Sequence, residues 1–409
     1  MHTYGRFLAT NGRWLAGGFL LTFFSAFGQT FFIALSNGEI RQAFALSHGD
    51  FGFIYMLGTL LSALTLPFLG RLLDRFSIAV VATGTMIMLA AGSVMFALAW
   101  SIPSLVLAIY MLRLFGQGMM SQTALTATGR WFAANRGRAI SITTIGFRVG
   151  EGCFPFLFVL AAAWLGWRGT WFAAAAAIIL VALPLIVSLV RVERDPQSEP
   201  ISRAQAEQRD WTCGEVLRDW RFYVIGLGIL APPFIGTTIF FHQIYLTEIK
   251  EWPLHLFASG FAVMSVTTIS FTLVAGWLVD RFTAVRLLPT FLLPLALACF
   301  AIAGLAEEWT IFVFMGLLGI SYGFSSTLEG AMWPELYGTR HLGAIRSMIV
   351  AAMVLATAMG PGITGMLIDA GIGLPLQFVA MGCYSLCAAL GMWLVARHIG
   401  RPAEAVASP

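Results

Sequence analysis

Long apolar runs alternate with short polar segments along the whole chain. Each run has about 20 residues, the length that crosses a hydrocarbon core of roughly 30 Å as an α-helix. The runs are too long and too uniformly apolar for the alternating strands, about ten residues each, of a membrane β-barrel. We therefore predict an all-α membrane protein with twelve transmembrane helices. The predicted spans are 14–35, 51–69, 77–99, 103–125, 139–162, 169–190, 222–244, 255–278, 285–304, 309–331, 343–367 and 374–396.

The chain repeats itself at about half its length. The heptapeptide GRLLDRF at 70–76 returns as GWLVDRF at 276–282, 206 positions later in a chain of 409 residues. Such a long period indicates duplication of a six-helix unit rather than a short-repeat solenoid. We predict two pseudo-symmetric halves, an N-terminal bundle at 1–190 and a C-terminal bundle at 222–409.

A polar segment separates the two predicted bundles. Residues 191–221 are rich in arginine and contain two prolines, which is typical of a linker rather than a domain. Near its end, Thr212 followed by Glu215 fits a capping box and predicts a short helix. An unstructured linker is the alternative.

Composition and charge place the chain in a membrane. Hydrophobic residues make up 58% of it and charged residues only 11%, too few to cover a soluble globule. With both termini cytoplasmic, 19 Lys and Arg residues fall on the inside and three on the outside, as the positive-inside rule requires. We expect an integral multi-pass protein of the cytoplasmic, bacterial inner membrane. The net charge of +4 reflects arginines that flank helices and indicates no nucleic-acid partner.

The sequence contains no motif that indicates a cofactor or an enzyme activity. The five cysteines form no disulfide framework, and Cys383 and Cys387, four positions apart, are better explained as small packing residues than as ligands of a soft metal. The chain has no Gly-x-x-x-x-Gly-Lys-Ser/Thr loop for ATP. We expect no cofactor, no metal and no enzyme activity.

The repeated loop carries a family resemblance. Its Gly-x-x-x-Asp-Arg-Phe pattern, placed between the second and third span of each half, resembles the major facilitator superfamily of secondary transporters. The resemblance covers almost the whole chain. It implies that the motif is a latch in the transport cycle rather than a substrate site. The gating residues implied in this way are Gly70, Asp74, Arg75, Gly276, Asp280 and Arg281.

A second loop narrows the resemblance. The sequence WFAANRGRA at 131–139 is similar to a loop of monocarboxylate and oxalate/formate porters. Those porters recognise carboxylate with basic residues in helices 8 and 11, whereas here helix 8 has none and helix 11 has only Arg346 near its start. A carboxylate would have to be held differently.

Three charged residues lie deep in predicted spans: Arg113, Arg148 and Glu151. A charge at a helix centre costs about 2.5–3.5 kcal/mol on insertion scales, so such residues generally face a cavity or a partner. Arg148 and Glu151 are three positions apart and share one helix face, and Arg113 shares a face with Gln117. Two alternatives stay open: Arg148 and Glu151 form a purely structural pair, or Arg113 bonds only to backbone carbonyls.

These residues suggest a function. We expect a secondary transporter that moves a small organic anion, a monocarboxylate, as a proton symporter. The substrate-binding candidates are Arg113, Arg148, Gln29, Gln117 and Tyr322, and the proton-coupling candidates are Glu151 and Glu329. We expect a monomer whose partners are the substrate, protons and the lipid bilayer. The main alternative is a proton antiporter that exports amphipathic drugs or metabolites, and a non-transporting membrane sensor is a more distant one.

Overall fold

The fold was examined in a computed structural model that describes residues 2–132, 136–192, 211–338 and 341–399. All regular structure in these ranges is helical. The predicted linker falls largely outside them, at 193–210.

The number of membrane spans follows from helix length. Ten helices in the described ranges are long and apolar enough to cross a membrane, and the bent pair Ala9–Gly28 and Thr30–Phe44 adds an eleventh span. One of the ten, Arg138–Val190, has 53 residues. A helix of that length would extend about 80 Å, far more than a bilayer core of about 30 Å. Gly166, with φ 68° and ψ 169°, breaks it in the middle, so it crosses twice. The described residues therefore confirm the predicted all-α fold with twelve spans.

We number the spans α1 to α12. Their bounds are α1 Ala9–Gly28 with Thr30–Phe44, α2 His48–Gly70, α3 Ile78–Ala97, α4 Ile102–Trp131, α5 136–165, α6 167–190, α7 Trp220–Phe241, α8 Leu254–Phe282, α9 Ala284–Gly304, α10 Thr310–Tyr337, α11 Leu342–Asp369 and α12 Leu374–Ile399.

Local sequence explains where several helices begin. Ser47 caps α2 by accepting from the Asp50 amide while the Asp50 carboxylate accepts from the Ser47 amide. Ser77 caps α3 in a similar way, and Ser101 forms a box with Ser104 ahead of α4. Each cap satisfies amides that a helix start leaves without a partner.

Large apolar side chains cover much of the outer surface of the helices. Leu64, Leu180 and Leu273 are 69%, 72% and 73% exposed. A water-soluble protein rarely exposes so much apolar surface, whereas lipid solvates it. The protein is an integral multi-pass membrane protein.

The helices form two compact units. Within the described residues the first contains α1 to α6 together with Phe240–Ala262 and Pro361–Asp369, and the second contains 211–239, Val263–Gly360 and 370–399. The last residues of α7 and α11 and the first residues of α8 therefore pack in the first unit, although they come from the second half of the sequence.

The first span differs from its predicted form. The sequence suggested one continuous helix over 14–35, but the structure has a tight turn at Ser25–Gly28, an extended Gln29 and a new helix that continues to Phe44. The two parts meet at an angle of 42°. The apolar run hides this break because the cause lies in a neighbouring helix, as described below.

The end of the linker is anchored in the second unit. The predicted capping box is present, with Thr212 and Glu215 opening the short helix Cys213–Val216. Beyond it, the Asp219 carboxylate accepts from Arg221 Nε at 2.8 Å and from the Tyr337 hydroxyl at 3.0 Å. Burial alone would raise the pKa of Asp219, but these hydrogen bonds outweigh it, so the pKa lies below its ordinary value.

Candidate functional site

The break in α1 lies beside an equally irregular part of α4. At Leu112–Met120 the α4 backbone widens into π-type turns, which are frequent at functional sites. Gly28 of α1 and Gly116 of α4 meet there: a Cβ added to Gly116 would lie 2.5 Å from the Gly28 Cα, and one added to Gly28 would collide with the Leu112 carbonyl. Only glycine permits so close an approach of two backbones.

Arg113 occupies this crossing. It is 2% exposed, and its Nη1 donates to the Gly28 carbonyl at 3.4 Å and to Thr30 Oγ1 at 3.2 Å. Its guanidinium lies 5.4 Å from the centre of the Tyr55 ring, and the Tyr55 hydroxyl bonds Thr30 Oγ1 at 2.6 Å. Arg113 Nε has no hydrogen bond, and no carboxylate among the described residues forms an ion pair with this guanidinium. The buried positive charge is balanced only by neutral oxygens and a ring.

The second deep pair lies on α5. Arg148 Nη1 donates to Glu151 Oε2 at 2.8 Å, with side-chain exposures of 22% and 4%. The predicted pairing is thus present, and Arg148 is its more accessible member. Gly150, which lies between the two residues of the pair, lets α5 approach α1 closely, because a Cβ there would lie 2.7 Å from the Phe23 carbonyl of α1. Both sequence-predicted arginines therefore belong to the surroundings of α1.

Aromatic rings continue from Arg148 through the first unit. The guanidinium lies 5.2 Å from the Phe147 ring centre, and Phe147 is 6.3 Å from Phe31. Phe31 in turn lies 5.8 Å from Phe261, and Phe261 lies 5.0 Å from Phe240. These four rings were not predicted as site residues, because nothing in the local sequence distinguishes them among 34 phenylalanines.

The two predicted glutamines of the first unit lie at the same crossing. Gln29 is the extended residue at the α1 break and is 8% exposed. Gln117 is half-buried in the π-type segment, and its backbone nitrogen lies 2.9 Å from the position that a Cβ on Gly28 would take. The α1–α4 crossing thus brings together Gln29, Arg113 and Gln117.

The remaining two candidates lie in the second unit, both on α10. The Tyr322 hydroxyl donates to the Pro232 carbonyl at 3.5 Å, and its ring fills the space beside Gly236. Glu329 is half-buried, and Arg346 is the charged group that acts on it. Tyr322 and Glu329 are seven positions apart and so share one face of α10.

The first copy of the predicted gating motif, at 70–76, forms an ion pair with the end of α4. Arg130, at the end of α4, donates to Asp74 Oδ1 at 2.6 Å and to the Leu73 carbonyl at 2.6 Å. The side chains are 44% and 73% exposed, so the pair adds little to stability and can open readily. Gly70 is half-buried and Arg75 is exposed in the same loop.

Near the second copy of the motif, at 276–282, a carboxylate rather than an arginine makes the described hydrogen bonds. Glu335, near the end of α10, accepts from the Ala284 amide at 2.8 Å and from the Val285 amide at 3.4 Å, which caps α9. Arg281 stacks 5.6 Å from the Trp277 ring, and Gly276 is half-buried. The side chain of Asp280 lies outside the described residues. In the described residues, Arg130 bonds the loop after α2, whereas Glu335 caps the helix that follows the loop after α8.

Comparison with known proteins decides the family. The family model of the Major Facilitator Superfamily matches residues 18–268 and 234–409, which together span nearly the whole chain. The chain belongs to the Major Facilitator Superfamily. It is accordingly a transporter and not an enzyme, which confirms both expectations. No curated protein sequence matches it significantly.

Solved structures share the superfamily fold at low sequence identity. A bacterial homologue of the human lysosomal transporter Spinster, in an inward-facing and unoccupied conformation, aligns with a TM-score of 0.75 and 19% identity, covering 97% of this chain and 99% of the other. The nucleoside transporter NupG gives 0.71 and 13%, with coverages of 94% and 99%. A D-xylose–proton symporter gives 0.69 and 16%, with coverages of 95% and 97%. At such identities the likeness shows the fold alone.

Proposed function

We propose that this transporter carries a small organic anion, a monocarboxylate, by alternating access with proton symport, as in the monocarboxylate and oxalate/formate branch. The observation that carries the proposal is the Arg148–Glu151 pair: a guanidinium that is 22% exposed, bound to a carboxylate that is 4% exposed. An incoming anion can replace the buried carboxylate as the negative charge that neutralises the accessible guanidinium.

The pair suggests how one proton couples to one substrate. While Glu151 is ionised it neutralises Arg148, and a second carboxylate would meet a net neutral site. When Glu151 takes a proton, its carboxylate loses the negative charge, and the Arg148 guanidinium can bind the substrate carboxylate through two parallel N–H···O bonds. Release of the substrate lets Glu151 lose its proton and recover Arg148. The buried charge is therefore balanced by Glu151 in the substrate-free state and by the substrate carboxylate in the substrate-bound state.

Arg113 has a supporting role in this proposal. It is too deeply buried to meet a substrate in the described arrangement, and it bonds the Gly28 carbonyl exposed by the α1 break. Its unpaired charge raises the positive potential of the first unit, which favours an anion over a neutral solute. Gln29 and Gln117 are positioned at the same crossing to donate hydrogen bonds.

The body of the substrate is expected to be apolar. Phe147 lies directly beside the Arg148 guanidinium, and Phe31 is next to Phe147. A carboxylate held by Arg148 would place its adjoining carbon atoms against these rings. Tyr322 and Glu329 remain proposed substrate and proton residues of the second unit.

Transport by purified protein in liposomes tests the proposal. An inside-alkaline pH gradient should drive uptake of a radiolabelled monocarboxylate. Arg148→Lys should weaken apparent affinity about 10–100-fold, because lysine cannot make the two-pronged contact and 1.4 kcal/mol corresponds to tenfold. Glu307→Gln is the matched control, an exposed carboxylate in the loop before α10, and should behave as the parent. Uptake that ignores the pH gradient for every carboxylate tested would refute the proposal.

The exporter alternative rests on the same aromatic rings, which would also suit an amphipathic cation or neutral drug. It predicts raised drug sensitivity on deletion of the gene and proton-driven drug uptake into inverted membrane vesicles. We place the protein in the bacterial inner membrane as a monomer, and the distribution of its arginines supports cytoplasmic termini.

A further inference from the structure

A polar cluster lies at the end of α2 farthest from the Asp74 loop. It consists of Arg41 of α1, His48 of α2, His242 and Tyr245 beyond α7, and Asp369 at the end of α11. All five belong to the first unit. We name this cluster the His48 gate, because it joins the N-terminal helices to the outer ends of α7 and α11.

Asp369 is bound to the start of α2. Its two carboxylate oxygens accept from the His48 amide at 3.2 Å and the Gly49 amide at 2.7 Å. An anion at a helix N-terminus is stabilised by the free amides and by the helix dipole. Glycines keep the backbones close: a Cβ on Gly52 would lie 2.6 Å from the Pro361 carbonyl. The α2–α11 contact is therefore a fitted one that must separate if this side is to open.

His242 lies at the centre of the gate and is 1% exposed. Its Nε2 is 3.1 Å from the Pro361 carbonyl, and since a carbonyl only accepts, Nε2 carries the hydrogen. The other ring nitrogen, Nδ1, is buried without a hydrogen-bond partner, and so is Nδ1 of His48, whose ring centre is 6.0 Å away. The gate thus accommodates His242 as a neutral imidazole.

A second proton on His242 has nowhere favourable to go in the closed gate. It would sit on Nδ1, where no acceptor is available, and would create a buried cation. The titratable groups that face His242 are Arg41, which repels a cation, His48, which repels one only when it is itself protonated, and Asp369, whose oxygens already bind the α2 amides. Water can solvate the charged ring only if the contact separates.

We propose that the His48 gate is a proton-responsive gate, closed while His242 is neutral and opened when His242 takes a proton from the membrane face opposite the Asp74 loop. This goes beyond the proposed function, because it concerns access and requires no substrate. It gives the protein a second proton-dependent step, on residues other than Glu151.

Hydrogen bonds between uncharged groups also stabilise the closed form of the His48 gate. Asn37 Nδ2 donates to the Phe241 carbonyl at 2.8 Å, and Gln243 Nε2 donates to the Phe31 carbonyl at 2.9 Å. These bonds do not titrate near neutral pH, so they favour closure at every pH. Glu39 of α1 and Glu248 beyond α7 repel each other, and their protonation would favour closure in acid, opposite to the effect of His242. Opening in acid can therefore be attributed to histidine.

Pulsed EPR distance measurement in lipid nanodiscs tests the proposal without substrate. Spin labels are attached at Ala43→Cys on α1 and Ile249→Cys beyond α7, both exposed. The native cysteines replaced in the parent background are Cys153, Cys213, Cys299, Cys383 and Cys387. We expect a longer-distance population that grows about tenfold relative to the closed one between pH 8 and pH 5.5, since pH 5.5 is one unit below the ordinary histidine pKa of about 6.5.

Three variants decide the outcome. His242→Gln should keep the pH 8 distances and lose the acid response, because glutamine can still donate to Pro361 but cannot take a proton. His48→Gln removes the facing ring and should reduce the response, and it serves as the second test if His242→Gln fails to fold. His255→Gln, an exposed histidine at the start of α8, should respond as the parent. A pH-independent parent, or a full acid response in both gate variants, would overturn the proposal. Because no substrate is present, this result is separable from failure of the anion-transport proposal.

Discussion

The Gly28–Gly116 crossing offers a sharp test of the structure, through Gly116→Ala. The added methyl carbon would lie 2.5 Å from the Gly28 Cα and 2.8 Å from the Gly28 nitrogen. Favourable carbon contacts occur at about 3.5–4.0 Å, so α1 and α4 must separate by about 1 Å. Both clashing atoms are backbone, and no side-chain rotation can relieve them.

The expected cost can be worked from three contributions. Overpacking costs about 1–3 kcal/mol. Separation also lengthens the bond from Arg113 to the Gly28 carbonyl, already 3.4 Å, and a charged hydrogen bond is worth about 1.5–3 kcal/mol. Replacing glycine by alanine in a helix returns about 1 kcal/mol. Together these contributions give an expected net loss of stability of about 1.5–5 kcal/mol.

Thermal unfolding in detergent, followed by tryptophan fluorescence, measures the effect. Gly84→Ala on α3 is the matched control, because a Cβ there meets nothing within 4 Å. The control should be as stable as the parent or slightly more stable, whereas Gly116→Ala should unfold at clearly lower temperature. Equal stability of the two variants would refute the described α1–α4 crossing.

Three further predictions concern stability, each checked by thermal unfolding. Asp219→Asn should cost about 1.5–3 kcal/mol at pH 7, since it weakens the bonds from Arg221 and Tyr337. Because the pKa of Asp219 is lowered on folding, this contribution to stability is present above pH ~4 and is lost as the pH falls through the folded-state pKa. The stabilities of variant and parent should therefore converge in acid. A constant difference in stability from pH 7 to pH 3 would contradict this prediction. Ala45→Gly should stabilise by about 0.5–1 kcal/mol, because Ala45 ends its helix at φ 51°; a loss would argue against that backbone. Trp171→Phe should cost about 1–3 kcal/mol, because its buried indole donates to Ser36 Oγ at 2.9 Å; no change would show that this bond is not made.

The sequence predicted features whose causes are local. Twelve spans follow from apolar runs matched to bilayer thickness, and the Arg148–Glu151 pair follows from a three-residue spacing on one helix. The Thr212–Glu215 capping box is likewise contained within four residues. In each case the interacting groups are neighbours along the chain, so a pattern alone is sufficient.

Features that depend on contacts between helices escaped prediction. The break at Gln29 arises because Gly28 meets Gly116 of another helix. Thr30, which accepts from Arg113, is 83 positions away in sequence, and Arg130 is 56 positions from Asp74. A single sequence contains no signal that links such positions. The packing of the last residues of α7 and α11 in the first unit also depends on contacts between helices, so the sequence did not predict it.

The central claim is that Glu151 couples proton movement to substrate movement. Its most direct test compares two activities of Glu151→Gln in liposomes: net uptake driven by a pH gradient, and exchange of labelled for unlabelled monocarboxylate without a gradient. Glutamine imitates the protonated acid, so the loaded carrier should still cross while the empty carrier cannot recover the ionised Arg148–Glu151 pair. We expect net uptake to fall at least tenfold while exchange persists. Gradient-driven uptake at the parental rate in this variant would contradict it.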